Sequence, residues 1–240
     1  MRELISSSGF RGIAVYEISP EMCFSVGLAY GNESRGELVL GMDPRLSSPL
    51  LATSLASGIS ASGSDVRLLG LAPTPAVAFY SRGATGGAMV TASHNPPDYN
   101  GIKLFGGNGA SVASSLYFKL VSIIESVPSK VGYSELGAIR SGSGVGKYLE
   151  YVSHSQSLSR AWRVGLDPGN GATAITAHMA YCNAGCYPST INVMPDGRFP
   201  GRGSEPAGEA LVALSRLVRS KGLDVGFAFD GDGDRFAAVD

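Results

Sequence analysis

Long hydrophobic runs are missing from this chain, and so is an excess of either charge. No apolar stretch is long enough to span a bilayer, and the N-terminus lacks the apolar core of a signal peptide. The 19 Lys and Arg nearly balance the 20 Asp and Glu, which leaves a net charge of −1. These absences argue against a membrane protein, make nucleic acid a poor partner and predict a cytoplasmic location.

Cysteine and histidine are also scarce. Cys182 and Cys186 lie four residues apart, but no second Cys/His pair completes a zinc site, so we expect these two and Cys23 to be reduced thiols without a role. With three histidines and no Gly-x-Ser-x-Gly elbow, a serine hydrolase or phosphatase is the weakest candidate. The full dinucleotide-binding and P-loop patterns are absent as well.

What the chain has in quantity is apolar residues and glycine. Of its 240 residues, 44% are hydrophobic and 33 are glycine. This composition is typical of a globular, loop-rich α/β protein with one large or two medium domains.

Predicted helices and strands alternate along the first half of the chain. Ser19-Pro20 is a good helix start, with Ser as N-cap and Pro at the first helical position. The predicted elements are a helix over 20–31, a strand over 37–41, a helix with Leu51, Leu55 and Ile59 on one stripe, a strand over 65–69, a helix opening at 73–75, and a helix through Leu116, Leu120, Ile123 and Ile124 that Pro128 ends.

The alternation restarts in the second half. The predicted elements there are a strand over 162–167, a tight structural turn over 167–171, a helix over 173–184, a strand over 187–193, a helix over 207–221 and a strand over 225–229. The segment between the halves is rich in Gly and Ser. We predict two consecutive layered α/β domains with mainly parallel mixed sheets, over residues 1–135 and 148–240, joined by a linker over 136–147.

A polar loop between two short apolar strands stands out in the first half. Strands are expected at Ala88–Val90 and at 102–105, and the prolines at positions 96 and 97 stop the first of them. Asn100-Gly101 is predicted to be a turn. The loop then presents Ser93 and His94 on rigid backbone, with Lys103 on the returning strand, which favours chemistry on an anion.

The second distinctive motif follows the last predicted strand. Asp230, Asp232 and Asp234 alternate with glycines, which let the backbone curl so that three carboxylates converge on one hard cation such as Mg²⁺. An EF-hand calcium loop is rejected, because its sixth position would be Arg235 instead of glycine and no glutamate follows at the twelfth. A solvated acidic turn is disfavoured directly after an apolar strand.

Both motifs resemble those of the α-D-phosphohexomutases, the superfamily of phosphomannomutase/phosphoglucomutase and phosphoglucosamine mutase. Residues 91–96 (Thr-Ala-Ser-His-Asn-Pro) resemble its active-site serine loop, and 230–235 its metal loop. Residues 9–12 (Gly-Phe-Arg-Gly) resemble its N-terminal signature, with Phe10 in place of isoleucine. Residues 43–48 resemble its Arg-Asp-x-Arg-x-Ser-Ser loop, with Met42 in place of the first arginine.

The resemblance implies a mechanism. Ser93 carries the phosphoryl group as phosphoserine, and Ser93 together with the three aspartates of the metal loop holds one Mg²⁺ per chain. Lys103 is expected to be the general acid/base with His94 assisting, Arg11 to act in catalysis, and Arg11 and Arg235 to bind phosphate. The cycle moves phosphate between O1 and O6 of a mannose or glucose phosphate through a hexose 1,6-bisphosphate, which is both intermediate and activator.

The resemblance covers essentially all 240 residues but only the first two of the family's four domains. The family's sugar-contacting and distal phosphate-binding domains are not found here, so a separate C-terminal half-protein is a possible partner. Two alternatives stay open: a phosphoglucosamine mutase, and a non-catalytic truncated paralogue or fragment that keeps the fold and the metal loop.

Overall fold

The computed structural model describes residues 1–6, 8–126, 128–155 and 158–240. The chain divides into two compact units. The first comprises Met1–Met42, Ser47–Ala92 and Asp98–Gly144, and the second comprises Asp43–Leu46, Ser93–Pro97 and Val145–Asp240. Two short loops, 43–46 and 93–97, therefore belong to the second unit although their flanking strands and helices belong to the first. The predicted division at 136–147 stays a prediction.

The first unit is built on a seven-stranded mixed sheet. Its strands are β1 (Ile5–Ser6), β2 (Gly9–Ile13), β3 (Glu37–Met42), β4 (Asp65–Leu71), β5 (Gly86–Val90), β6 (Tyr99–Gly106) and β7 (Ile139–Ser141). They lie in the order β1-β2-β6-β5-β3-β4-β7. The pairings of β3 with β4 and β5, and of β4 with β7, are parallel, whereas β2 pairs antiparallel with β1 and β6, and β5 with β6.

Four helices belong to the first unit: α1 (Pro20–Ser34), α2 (Ser48–Ala61), α3 (Thr74–Ser81) and α4 (Ser114–Glu125). The predicted N-cap is present, because the Ser19 side chain accepts a hydrogen bond from the Met22 amide. Apolar residues of α1, α2 and α4 pack on one face of the sheet, against Leu38, Leu40, Ala88 and Ile102 among others. Helix α3 packs beside β3 and β5.

Two glycines bring α1 and α2 into close contact. A Cβ at Gly58 would lie 2.0 Å from the carbonyl oxygen of Phe24, and one at Gly27 would lie 2.2 Å from that of Leu55. Because both obstacles are helix backbone, neither can move aside alone. The helix–helix contact therefore depends on the absence of side chains at these two positions.

We expect Gly58→Ala to cost about 3 kcal/mol of unfolding free energy, because the added methyl group overpacks a rigid contact. Gly146→Ala is the matched control, since Gly146 is also helical but a Cβ added there would meet nothing within 4 Å. That control should be neutral or stabilise by up to about 1 kcal/mol through helix propensity. Urea unfolding measures both, and equal midpoints for the two variants would contradict the close contact.

The second unit has a four-stranded mixed sheet. Its strands are β8 (Arg163–Asp167), β9 (Tyr187–Thr190), β10 (Val225–Phe229) and β11 (Phe236–Val239), in the order β11-β10-β8-β9. Strand β8 pairs parallel with β9 and β10, and β10 pairs antiparallel with β11. The helices are α5 (Gly146–His154), α6 (Ala177–Asn183) and α7 (Val212–Lys221). The predicted α/β class with mixed sheets is confirmed.

Several sequence-based details were wrong. Asn100 and Gly101 do not form a turn but lie in β6, paired with Gly12 and Arg11 of β2. The helix predicted over 173–184 is interrupted, because the Thr176 amide bonds to the Thr173 carbonyl three residues back, closing a 3-10 turn before α6. The strand predicted over 187–193 ends at Thr190.

Five strands and helices of the described residues were not predicted at all. They are β1, β2, α5, β7 within the predicted linker, and β11. Strand β7 has three residues, and all of them are exposed. It therefore shows no alternation of buried and exposed positions that the sequence could reveal, and it is defined only by its pairing with β4. Among the described residues, every helix is too short or too polar to cross a membrane. The three cysteines are free thiols, as expected, and burial raises the pKa of Cys23 to about 12.

Candidate active site

The second unit brings the Ser93 loop and the aspartate loop together. Ser93 is fully buried, and its hydroxyl donates a hydrogen bond to Oδ2 of Asp230 at 2.6 Å. Oδ1 of Asp234 is 3.5 Å from the same hydroxyl. Ser93 has φ of +53°, a conformation that non-glycine residues adopt only when their surroundings impose it.

The aspartate loop begins where β10 ends. It is a tight turn in which the Asp230 amide bonds to the Arg235 carbonyl and the Gly233 amide to the Asp230 carbonyl. One carboxylate oxygen from each of Asp230, Asp232 and Asp234 lies within 4.8 Å of the others. Asp230 and Asp232 are buried and Asp234 is exposed. Three convergent carboxylates, open to solvent on one side, fit a hard divalent cation such as Mg²⁺.

Burial, together with the charge of this loop, alters the acidity of Asp230. Burial raises the pKa of its carboxyl group from 3.8 to about 7, with the negative charges of Asp232 and Asp234 contributing, while the Ser93 hydrogen bond acts in the opposite direction. A bound cation would offset both effects. The electrostatics therefore agree with the geometry in favouring a metal at this place.

Close backbone approach joins the two loops. A Cβ at Gly231 would lie 2.6 Å from the carbonyl oxygen of Ser93, so only glycine fits there without displacement. From the other side, the Ala172 amide donates to the Gly231 carbonyl at 2.9 Å. A Cβ at Gly171, the last residue of the turn over 167–171, would lie 2.7 Å from the same carbonyl oxygen, so this turn also packs against the aspartate loop.

A buried ion pair supports the strand ends beneath the site. Nε of Arg202 donates to Oδ2 of Asp167 at 2.8 Å, and both side chains are almost fully buried. The guanidinium also donates to the carbonyl of Phe229, the last residue of β10. Arg202 therefore joins the ends of β8 and β10, immediately before the aspartate loop starts.

Arg235 and His94 lie beside the Ser93 hydroxyl. Nη2 of Arg235 is 3.2 Å from Oγ of Ser93 and also donates to Nδ1 of His94. Its Nε is 3.7 Å from Oδ2 of Asp230 and from Oδ1 of Asp234. A half-exposed guanidinium next to the serine oxygen is well placed to bind phosphate oxygens.

Lys103 and Arg11 belong to the first unit. Lys103 is buried in β6 opposite Met89, and Arg11 in β2 is paired with Gly101 of β6. Because cross-strand partners and residues two apart share a sheet face, Lys103 and Arg11 emerge on the same face. Nη2 of Arg11 donates to the Ser8 hydroxyl. The predicted roles of both residues at Ser93 stay predictions.

Three residues around the Ser93 loop were not assigned a role from the sequence: Arg45, Phe199 and Ser204. Arg45 and Ser204 donate hydrogen bonds to carbonyls of the loop, and the Phe199 ring lies under the Arg45 guanidinium. The motif at 43–48 was a signal for Arg45. No sequence pattern pointed to Ser204, because it is more than a hundred residues from the loop it contacts.

Comparison with known families gives matches over most of the chain. Residues 2–130 match the model of phosphoglucomutase/phosphomannomutase, alpha/beta/alpha domain I, and residues 146–240 match domain II of the same family. These two matches agree with the resemblance drawn from the serine and aspartate motifs.

Curated relatives are about twice as long as this chain. A probable phosphoglucosamine mutase from Methanosarcina barkeri is 38% identical over 240 residues, which cover 99% of the chain and 55% of the relative. A phosphoglucomutase/phosphomannomutase from Thermococcus kodakarensis is 35% identical, with coverage of 100% and 56%. The chain therefore spans about half the length of the curated relatives it matches.

Solved structures of similar proteins also contain about twice as much chain as this one. A phosphoglucomutase/phosphomannomutase family protein from Burkholderia thailandensis superposes with a TM-score of 0.91 at 29% identity, covering all of this chain and 55% of that one. A putative phosphomannomutase from Thermus thermophilus gives 0.82 at 26% identity, covering 98% and 56%.

Proposed function

Because the chain belongs to the phosphoglucomutase/phosphomannomutase family, we propose that it is the phosphoserine- and metal-bearing half of a phosphohexomutase. In this proposal the reaction moves a phosphoryl group between O1 and O6 of a hexose phosphate. The observation that supports it most directly is the 2.6 Å hydrogen bond from the Ser93 hydroxyl to Asp230, within a cluster of three aspartates. A nucleophilic oxygen beside a dication site, with an arginine in contact, suits phosphoryl transfer.

The metal-loop residues have one shared role in this proposal. Asp230, Asp232 and Asp234, together with an oxygen on Ser93, would hold one Mg²⁺. When bound, the ion neutralises negative charge on the phosphoryl group at Ser93. Arg235 binds the phosphoryl oxygens as well, and its bond to Nδ1 of His94 orients the guanidinium. Arg11 provides a further cationic group for phosphate.

The proton steps are assigned to Lys103. In the forward half-reaction the Oγ–P bond of phosphoserine breaks, a bond forms from phosphorus to the free hydroxyl of the hexose phosphate, and Nζ of Lys103 accepts the hydroxyl proton. The resulting hexose 1,6-bisphosphate then turns round. In the return step its other phosphoryl group passes to Ser93, and Lys103 gives the proton back to the departing sugar oxygen. His94 assists.

A second candidate, phosphoglucosamine mutase, is favoured by the names of several relatives. The Methanosarcina barkeri relative and others at 35–39% identity are named probable phosphoglucosamine mutases. The sequences of the serine loop and the aspartate loop resemble the phosphomannomutase/phosphoglucomutase motifs more closely, so mannose and glucose phosphates remain the first choice of substrate. The family's sugar-contacting residues are expected in a C-terminal half, which is also the proposed partner.

We expect phosphate on Ser93 after incubation of the chain with Mg²⁺ and glucose 1,6-bisphosphate, because Ser93 combines a buried hydroxyl with contacts to the aspartate cluster and to Arg235. Intact mass and peptide mapping measure it. Ser93→Ala should remove the label completely. Ser220→Ala is the matched control, because Ser220 is exposed on α7 and should leave labelling unchanged.

Labelling of a serine other than Ser93, or no label on a chain shown by circular dichroism to be folded, would contradict the proposal. Because the sugar-contacting residues are expected in a C-terminal half, the two candidates are distinguished by comparing labelling from the glucose, mannose and glucosamine bisphosphates after a separately expressed C-terminal half has been added. Faster labelling by the glucosamine compound would favour the second one.

A further inference from the structure

We infer that Arg45 and Ser204 are positioning residues for Ser93: together they bind the carbonyl oxygens of four consecutive residues, 93–96, and so fix the loop that presents the Ser93 hydroxyl. The inference deepens the proposed function and rests on it for the role of Ser93. All the contacts that carry it lie inside the second unit.

Arg45 accounts for most of these bonds. Its Nη2 donates to the carbonyl of Ser93 at 2.8 Å and to that of Asn95 at 2.7 Å. Its Nη1 donates to the carbonyl of Pro96. Hydrogen bonds from a charged donor are stronger than neutral ones, and a planar fork reaches several acceptors in one plane.

The guanidinium is itself held rigidly. Nε of Arg45 donates to Oδ2 of Asp43 at 2.9 Å, and its backbone amide donates to Oδ1 of the same residue at 3.0 Å. The Phe199 ring centroid lies 5.1 Å from the guanidinium carbon. The charged side chains of Arg45 and Asp43 are both fully buried. Such a pair is retained only when its geometry satisfies both charges, so Arg45 has little freedom to rotate.

Ser204 binds the remaining carbonyl. Its hydroxyl oxygen lies 2.8 Å from the carbonyl of His94 and 2.7 Å from that of Asn95, and the residue is 4% exposed. Since a hydroxyl has one proton, it is shared between these two acceptors. Ser204 approaches from the loop after Phe199, so two distant segments of the chain grip residues 93–96.

Residues 93–96 must be held in place because of the backbone conformation of Ser93. A serine at φ of +53° is in a conformation that costs free energy relative to the extended or helical regions. Four bonded carbonyls stop the loop from relaxing out of it. They also pair the negative ends of these carbonyl dipoles with the donors of Arg45 and Ser204.

Lysine should not replace Arg45. Its ammonium group keeps the charge but is a point donor on a flexible stem, so it cannot bind Asp43 and three carbonyls in one plane. The experiment therefore compares Arg45→Lys with Ser204→Ala. Arg198→Lys is the matched control, because its side chain is 71% exposed and lies in the neighbouring loop.

Two measurements are made on each full 240-residue variant. The first is hydrogen exchange at the amides of residues 93–95, which we expect to become faster by about tenfold or more in both test variants, with the rest of the chain unchanged. The second is Ser93 labelling by glucose 1,6-bisphosphate. We expect its maximal rate to fall about 100-fold in Arg45→Lys, because misplacement by about 1 Å has that effect on transfer.

For Ser204→Ala we expect about a tenfold fall in labelling rate, as one shared hydrogen bond is lost. In both variants the half-saturating bisphosphate concentration should stay near that of the parent chain, which a general loss of folding would not produce. Arg198→Lys should match the parent in both measurements.

Unchanged exchange at residues 93–95 in Ser204→Ala and Arg45→Lys would overturn the inference, as would parent-like labelling in both. If Arg45→Lys does not fold, Ser204→Ala decides alone. If the parent chain takes no label on Ser93, the proposed function fails, and hydrogen exchange still decides whether these two residues hold the loop.

Discussion

Replacing Asp232 with asparagine is expected to remove Mg²⁺ binding and to slow phosphorylation of Ser93 by about 100- to 1,000-fold, the size of effect seen when a charge-stabilising group is lost from an active site. Asp232 is fully buried and close to Asp230 and Asp234, and asparagine has almost the same shape. A loss of Mg²⁺ binding in this variant would therefore result from the missing negative charge and not from a change of shape. Calorimetric titration of Mg²⁺ and labelling by glucose 1,6-bisphosphate are the measurements.

The matched control is Asp240→Asn, the same change at an exposed residue outside the cluster. It should leave both measurements unchanged. We also expect tighter Mg²⁺ binding once Ser93 is phosphorylated, because the phosphoryl oxygens add a ligand and negative charge. Equal affinity in Asp232→Asn and the parent chain would show that the cation binds elsewhere.

The pH dependence of this site has a definite sign. Since the pKa of Asp230 is raised to about 7, protons compete with Mg²⁺ below that pH, and affinity should fall by up to about tenfold per pH unit. In the metal-free protein, the same raised pKa should make the stability of the fold depend on pH. A carboxyl group with a folded-state pKa above its unfolded one destabilises the fold as pH rises from about 4 to 7, and saturating Mg²⁺ should reverse the loss.

By itself, the 240-residue chain is expected to show mutase turnover at least about 1,000-fold below that of the same chain supplemented with a C-terminal half. The chain spans 55% of relatives such as the one from Methanosarcina barkeri. In the proposed mechanism the other half holds the sugar and its far phosphate, and positioning of reactants with exclusion of water accounts for much of the rate in such reactions.

A coupled assay of glucose 1-phosphate conversion to glucose 6-phosphate, run with and without a separately expressed C-terminal half, measures the difference. The control is the same addition to Ser93→Ala, which should stay inactive because the phosphoryl carrier is missing. Rapid turnover by the 240-residue chain alone would refute the prediction.

Helices with strong local signals were predicted well from the sequence. The helix start at Ser19-Pro20 is realised in α1, and the stripe of Leu51, Leu55 and Ile59 is buried in α2. The strand predicted over 225–229 is β10. In each case the capping residue or the spacing of apolar residues is a property of ten to fifteen neighbouring residues, so no distant contact is needed to specify it.

Elements that depend on distant partners were missed or wrong. The turn predicted at Asn100-Gly101 fails because β2, about ninety residues earlier, pairs with these residues and extends them into β6. The side chain of Asn100 binds the hydroxyls of Ser47 and Ser48 instead of its own turn. Local turn propensity is a weak preference, and a strand partner with matching hydrogen bonds overrides it.

For the site, the sequence by itself determined the chemistry: a serine in a proline-stopped loop, and three carboxylates spaced by glycine after an apolar strand. Only the tertiary structure decided that Ser93 lies 2.6 Å from Asp230, 137 residues away, and that Arg45 and Ser204 grip the loop between them. Residue type and local spacing set which groups can act, because they are covalent properties of the chain. Which distant groups meet depends on how the chain packs. Packing buries the loop carbonyls, which must then accept hydrogen bonds from other segments, and it buries Asp230, which raises the pKa of that carboxyl group.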